Sequence, residues 1–334
     1  MNLDVLEQFK KKAQDLGRHL VLPEGLDERM IQAAFEMTKT GGWKVTLIEN
    51  EEKIKAKARE LKIDISGIPV IDPFKSPDLD EYLDTYFNKQ KSAAEKKNKP
   101  FNLKMEQARE IMLDPLYFGA MMVEKGLADG SLAGAEHATG DVIRAGLQVI
   151  GTKPGVKKIS STILMFLTDG RIIGFSDCAV QPDPTAEDLA DIAVLSAQTR
   201  IELLGDIPKV AMLSFSTKGS AQHPLADKVI EATRLAKEKM PDLVIDGEMQ
   251  ADAALVAKVG QKKCPGSPVA GQANMLIFPD LGSANIGYKL VQRLASAEAI
   301  GPIMQGFAKP CNDLSRGCSV NDIISLGAIT LLKA

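Results

Sequence analysis

One pattern constrains this chain more than any other. A short apolar run is followed by a turn and then by an amphipathic stretch of helical period, and the unit recurs along most of the length. His19-Leu20-Val21-Leu22 reads as a strand ended by Pro23. Asp27 opens a helical pattern with apolar Met30, Ile31, Ala34 and Met37, and Gly41-Gly42 stops it. Lys44 to Ile48 is the next strand and Glu51 to Leu61 the next helix. Such βαβ alternation implies a mostly parallel sheet with helices on both faces, an α/β fold.

The pattern continues with helices at 79–91 and 103–125, a strand from Gly130 to Gly134 and a helix from Asp141 to Ile150. Then the rhythm changes. Lys158 to Leu167 and Arg171 to Ser176 are strand-like and flank Thr168-Asp169-Gly170, which predicts a hairpin. Beyond it the βα alternation returns. Strands are predicted at 209–215, 243–246, 275–279 and 299–304, and helices at 186–204, 224–239, 250–259, 285–298 and 320–332. A chain of 334 residues suits two domains rather than one core. The expected division is 1–150 plus 303–334 for the first, and 151–302, with the hairpin, for the second.

Composition narrows the function classes. The formal net charge is −3, and the only basic cluster is Lys89 to Lys99, broken by Glu95, so a nucleic-acid partner is not expected. Cys178, Cys264, Cys311 and Cys318 contain no C-x-x-C pair, and His19, His137 and His223 are scattered, so no metal site is read. The first residues lack the basic and apolar regions of a signal peptide, and no apolar run is long enough to span a bilayer. The expectation is a reducing, cytoplasmic location with no membrane contact.

Three glycine-containing turns follow predicted strands, where open α/β sheets bind ligands and helix N-termini favour anions. Ser214-Phe215-Ser216-Thr217-Lys218-Gly219-Ser220 offers hydroxyls, a lysine and a glycine that suit a phosphate, or form a capped turn. Gly282-Ser283-Ala284-Asn285-Ile286-Gly287-Tyr288-Lys289 resembles a P-loop but has Tyr288 where the lysine belongs. That leaves a looser substrate cradle including Asn285 and Tyr288, or closely packed helix glycines. The third turn runs from Gly306 to Asp322. Arg316 offers a planar fork for phosphate oxygens, while Ser319-x-x-Asp322 resembles a capping box, so Asp322 reads equally as cap and as catalyst. Cys318 is either a packing residue or a thiol activated near Arg316.

At this third turn the sequence resembles a known family. Gly301-Pro302-Ile303-Met304-Gln305-Gly306, Lys309-Pro310 and Asn312-Asp313-Leu314-Ser315-Arg316-Gly317 look like the C-terminal signature of the phosphate acetyl/butyryltransferases. Pro208 to Ser214, Ser216 to Ser220, Ile245 to Gln250, Pro265 to Gly271 and Ile277 to Asp280 also match. The resemblance implies two three-layer α/β domains with a cleft between them, similar to the isocitrate and isopropylmalate dehydrogenases, and a homodimer. It implies reversible acetyl transfer between CoA and inorganic phosphate, with CoA, acetyl-CoA, phosphate and acetyl phosphate as substrates and no further cofactor. Asp322 would take the thiol proton, Arg316 hold the phosphate and Ser315 stabilise the transition state. Arg144 and Arg293 match family arginines of the CoA and active sites. His137 and Thr139, just before Arg144, and Thr217, Lys218, Gly219, Asn285 and Tyr288 complete the expected substrate-binding set.

Two departures from the family pattern stand out. Lys89 to Lys99 contains no arginine where members often carry one, and no cysteine lies in 159–167. The second speaks against an acyl-cysteine intermediate at that position and for direct attack in a ternary complex. The expected base is a weak one. An ordinary aspartate lies about 4.6 units below a cysteine-like thiol, so unassisted proton transfer is uphill by about 6 kcal/mol. A wider acyl range, including butyryl, and a non-catalytic acyl-CoA-sensing domain are the alternatives; a nicotinamide dehydrogenase of similar fold would lack the G-x-G-x-x-G fingerprint here too.

Overall fold

A computed structural model describes residues 2–334. In chain order the first part comprises α1 (Asn2–Leu16), β1 (His19–Leu22), α2 (Glu28–Lys39), β2 (Lys44–Ile48), α3 (Glu51–Leu61), β3 (Val70–Ile71), α4 (Leu79–Lys96), α5 (Met105–Met112), α6 (Pro115–Glu124), β4 (Gly130–Ala133) and α7 (Thr139–Val149). Then come β5 (Ser160–Phe166), β6 (Ile172–Ser176), α8 (Ala186–Leu204), β7 (Lys209–Leu213), α9 (Pro224–Lys239), β8 (Val244–Met249), α10 (Ala251–Leu255), α11 (Ala257–Lys263), β9 (Met275–Ile277), α12 (Leu281–Leu294) and β10 (Glu298–Gln305). The chain closes with β11 (Cys311–Asp313) and α13 (Val320–Leu332).

Two compact units result, one of Gly155–Gly306 and one of Leu6–Pro154 with Phe307–Ala334. Both crossings lie a few residues later than the expected 150 and 303, for local reasons. Gly151 accepts a hydrogen bond from the Ala308 N–H and Thr152 bridges Phe307, which ties 151–152 to the discontinuous unit. Ile303, Met304 and Gln305 pair with Thr162, Ser161 and Ser160, so β10 belongs wholly to the other unit.

The discontinuous unit holds a five-stranded, all-parallel sheet in the order β11-β4-β1-β2-β3. Parallel strands are covered on both faces, which is why β1 reads as an apolar run and β2 is buried from Val45 to Ile48. Leu20, Val21, Leu22, Leu47 and Ile48 are fully buried. The α2 helix is capped by Asp27, whose side chain accepts from the Arg29 N–H, and buries Met30, Ile31, Ala33, Ala34 and Met37. The α13 helix packs on it and on the sheet through Ile323, Leu326 and Ile329. Gly327 makes that approach possible: a Cβ there would lie 3.0 Å from both Leu20 and Met37 side chains. Truncating Ile31 to alanine would cost about 2–5 kcal/mol, the usual range for a well-packed core aliphatic.

The predicted helix 103–125 is two helices. Asp114 accepts from the Leu116 N–H and Pro115 takes the first helical position, so the chain must end one helix and start another there. Similarly 250–259 divides at Val256, which is extended. The α1 helix and the short strands β3 and β11 had no reading in the sequence.

The second unit has a six-stranded sheet in the order β10-β5-β6-β9-β7-β8. The β5–β6 hairpin is antiparallel as predicted, β10 runs antiparallel to β5, and β6, β9, β7 and β8 are parallel. Thr185 and Asp188 form a reciprocal cap on α8, which buries ten residues against the sheet.

Candidate active site at the carboxyl edge of the parallel sheet

In the discontinuous unit β1 leads to β2 on one side and has β4 on the other, so the strand order reverses between β1 and β4. Ligand crevices in open α/β sheets form outside the carboxyl ends at such a point. Here the floor is Glu24, just past β1, whose side chain is 0% exposed. Its Oε2 accepts the N–H groups of Gly134 (2.9 Å) and Ala135 (2.7 Å), and its Oε1 those of Glu136 (3.0 Å) and His137 (2.9 Å). The loop after β4 therefore forms a nest of amides around an internal carboxylate. A fifth contact joins Glu24 Oε1 to His137 Nδ1 at 2.8 Å.

The loop after β11, beside β4, carries Ser315 and Arg316, both exposed. Arg29, in the first turn of α2, holds this loop. Its Nε and Nη2 donate to the Asp27 carboxylate at 3.0 and 2.6 Å. Nη2 also reaches the Ala135 carbonyl at 2.8 Å, and Nη1 the carbonyls of Arg316 (2.8 Å) and Cys318 (3.1 Å). One guanidinium thus joins the loops after β1, β4 and β11. Burial works to raise the Asp27 carboxyl, but the Arg29 hydrogen bonds prevail and hold it below the ordinary value.

Asp322 makes the predicted capping box. Its Oδ2 accepts from the Ser319 N–H (2.8 Å) and hydroxyl (2.9 Å), while its own N–H donates to Ser319 Oγ (3.2 Å). Asp322 remains partly exposed at the start of α13, so a cap is compatible with an accessible carboxylate. Cys318 is buried and its thiol is pushed up to about 11, against the pull of Arg29, which favours the packing role over a reactive thiolate. Asp313, the last residue of β11, is 1% exposed. Its Oδ2 accepts from the Thr139 hydroxyl at 2.6 Å, and its Oδ1 has no hydrogen-bond partner. Burial pushes its carboxyl up to about 7. Arg144, further along α7, is exposed and donates to Asp141 at 2.7 Å.

The remaining candidates belong to the unit of Gly155–Gly306. The turn after β7 closes on an internal anion: Glu248 Oε1 accepts from Ser216 Oγ and from the Gly219 N–H, both at 2.8 Å. Lys218 is left-handed at φ 49° and its Nζ pairs with Asp246. Thr217 Oγ1 accepts from the Gln250 N–H at 2.9 Å. In the turn expected to cradle a phosphate, Thr217 and Gly219 thus bond to the chain's own Gln250 and Glu248, and Lys218 pairs with Asp246. The glycine turn at 282–289 is helical throughout. It lies inside α12, which Asp280 caps by accepting from the Ser283 N–H at 2.8 Å. Asn285 donates to the Cys178 carbonyl at 3.1 Å, Tyr288 packs against the core, and Arg293 is exposed in the last turn.

Residues 4–331 match the family model described as phosphate acetyl/butaryl transferase. The chain belongs to that family. It is 49% identical to a phosphate acetyltransferase of Thermoanaerobacterium thermosaccharolyticum, over 99% of this chain and 100% of the relative. A phosphate acetyltransferase of Clostridium acetobutylicum is 45% identical over 99% of both chains. Among solved structures a phosphotransacetylase from Streptococcus pyogenes superposes with a TM-score of 0.91 at 42% identity, covering 98% of this chain and 97% of that one.

Within this family member the reading from glycine-rich turns missed three residues that organise the edge: Glu24, Arg29 and Asp313. A signal was present. Pro23-Glu24-Gly25-Leu26-Asp27-Glu28-Arg29 also follows a strand and opens a helix. Its charges, however, read as a strand stop and a helix cap rather than as a scaffold for two distant loops.

Proposed function

We propose that the chain transfers an acetyl group reversibly between CoA and inorganic phosphate, a reading supported by relatives named phosphate acetyltransferases. The observation that carries this reading is the Ser315-Arg316 loop, fixed by Arg29 at the switch point with its polar groups outward. Arg316 holds the phosphate by a bidentate contact, which a planar guanidinium suits. Ser315 donates to the charge that develops on the acyl oxygen. Asp322 takes the thiol proton, and the thiolate attacks the acetyl carbonyl directly. Arg144 meets the CoA phosphates, and Arg293, Asn285 and Tyr288 supply further substrate contacts. His137 and Thr139 line the same site.

No cofactor beyond CoA itself enters the proposal, because guanidinium and amide donors neutralise a phosphoryl group without a metal. All four cysteines are free and buried, in keeping with a reducing, cytoplasmic setting. No helix among the described residues is long and apolar enough to cross a membrane. A homodimer is part of the proposal. Ile286, Leu290 and Leu294 recur every fourth residue on α12 and are 61%, 53% and 81% exposed, an apolar stripe suited to a second copy.

The test is thioester formation from CoA and acetyl phosphate, followed by ultraviolet absorbance, with propionyl and butyryl phosphate alongside. Fast acetyl transfer supports the proposal, and the ratio among donors sets the acyl range. CoA binding without transfer from any donor would overturn it in favour of an acyl-CoA sensor.

A further inference from the structure

The three histidines differ in what their rings are given to do. Both ring nitrogens of His19 are used internally, Nδ1 on the Leu127 carbonyl and Nε2 on the Thr46 hydroxyl, each at 2.8 Å. Nδ1 of His223 accepts from the Leu225 N–H and caps α9. At His137, Nδ1 faces Glu24, and Nε2 has no hydrogen-bond partner among the described residues. The side chain of His137 is 37% exposed above a carboxylate that is 0% exposed.

The partners of Glu24 fix the tautomer. Four backbone N–H groups already point at its two oxygens, so the proton in the fifth contact sits on His137 Nδ1. Nε2 is then a bare acceptor in the neutral ring and a donor in the cation. The ring is two residues from Ala135, whose carbonyl shares Arg29 with the carbonyl of Arg316. The loop that carries the ring and the loop that carries Arg316 are therefore fastened to one guanidinium.

The proposed reaction needs such a group on the phosphate side. Thiol attack on acetyl phosphate forms a C–S bond and breaks the C–O bond to phosphate. Without a proton the departing group would be the phosphate trianion, a strong base and poor leaving group. Arg316 neutralises charge but has no proton to give near neutral pH. Asp313, pushed up to about 7, is 1% exposed and bonded to Thr139, so it cannot reach a ligand. Histidine is the side chain whose charge changes in this pH range.

We infer that His137, oriented by Glu24, is the acid–base residue for phosphate. The inference rests on the acetyl-transfer reading above. Nε2 protonates the bridging oxygen as phosphate leaves, while Asp322 receives the thiol proton. CoA-SH and the acetyl phosphate dianion thus give acetyl-CoA and hydrogen phosphate, and the proton returns from Asp322 to the ring between turnovers. In reverse, neutral His137 takes the proton from attacking phosphate. Glu24 is a positioning residue. The titratable and charged groups of the surrounding cluster are Glu24 and Asp27 after β1, Arg29 on α2, Glu136 beside the ring, Asp313 at the end of β11, Arg316 in the loop after it, and Asp322 on α13.

The experiment uses His137→Asn in the full chain, with unfolding followed by circular dichroism. The asparagine amide reproduces the Nδ1–H donor to Glu24 and deletes Nε2. With acetyl phosphate, kcat is expected to fall about 100-fold, the usual scale for a lost general acid, with the KM for CoA nearly unchanged. With acetyl methyl phosphate the leaving group departs as a methyl phosphate dianion, whose conjugate acid has a pKa of about 6, and needs no proton. The deficit there should shrink to less than about fivefold, because only the acid step is missing. The second readout is the pH profile. Wild-type thioester formation should slow as rising pH deprotonates the ring, and phosphorolysis should slow as falling pH protonates it; the variant should lose both limbs. Equal deficits with both donors together with an unaltered profile, or undiminished kcat with acetyl phosphate, would overturn the inference. An inactive wild type would instead overturn the acetyl-transfer reading.

Discussion

The two units each place a buried glutamate beneath a loop at the carboxyl edge of parallel strands, and they use it differently. In the unit of Gly155–Gly306, Glu248 takes a hydroxyl and an amide from the turn after β7, while Lys218 folds back on Asp246, which also accepts from Ser267 at 2.6 Å. Ser216 and Thr217 of the turn are buried. In the discontinuous unit Glu24 absorbs the amides of the 134–137 nest, Arg29 fixes the backbone around it, and His137, Ser315 and Arg316 are left outward. Turns of similar composition can cradle a ligand or an internal carboxylate. Both edges bring their own anion, and the difference lies in which side chains it leaves uncommitted: Lys218 is tied to Asp246, whereas Nε2 of His137 has no hydrogen-bond partner among the described residues.

The sharpest break in this comparison is Asp322→Asn. Asparagine keeps an acceptor for Ser319, so unfolding should shift by less than about 1 kcal/mol. Thioester formation should fall about 1000-fold if Asp322 is the base. Steady-state kinetics paired with thermal unfolding reads both, and full activity would reduce Asp322 to a helix cap. The next test pits the two glutamates against each other. In Glu24→Gln an amide must face N–H groups, since both oxygens are occupied. The expected loss is about 3 kcal/mol. In Glu248→Gln the remaining carbonyl can serve Ser216 and Gly219 together, and the loss should be about 1 kcal/mol. Denaturant unfolding of the two variants would undo the comparison if their losses were equal.

Much of the fold was legible because burial on both faces leaves a simple mark. The apolar runs of β1, β2 and β7 and the glycines past α2 locate strands and helix ends without reference to the rest of the chain. The elements that escaped lack a local signal. β11 is Cys311-Asn312-Asp313, a strand only because it pairs with β4 at the edge. Pro115 did carry a local signal, and the apolar periodicity across it concealed the break between α5 and α6. The site divides the same way. Ser315, Arg316 and Asp322 lie in one contiguous stretch and read together from the sequence. Glu24 and Arg29 act on loops more than a hundred residues away. Such pairings arise only when parallel strands bring their carboxyl ends side by side.

Asp313 offers a smaller effect with a definite sign. Its folded carboxyl is pushed from an ordinary 3.8 up to about 7. The folded state therefore holds this proton more tightly than the unfolded chain. The resulting stability is fully present below about pH 4 and is lost as pH rises toward 7. Asp313→Asn imitates the neutral form at every pH. It should raise the melting temperature at pH 8 and have little effect at pH 4. Melting curves across that range would refute the assignment if the gain were independent of pH.

Lys218→Met should change least, and for that reason it bears most directly on the contrast between the edges. Were Lys218 a phosphate ligand, its loss would remove a charged contact and raise the apparent KM for phosphate at least tenfold, at about 1.4 kcal/mol per decade. Paired with Asp246 and half-exposed, it contributes on the scale of a surface ion pair, below about 1 kcal/mol of folding stability. The KM for phosphate should then stay within about threefold, because Glu248 and the Gly219 amide keep the turn closed without the ammonium. A large KM effect with unchanged stability would mean that Lys218 leaves Asp246 when substrate arrives and contacts the phosphate itself.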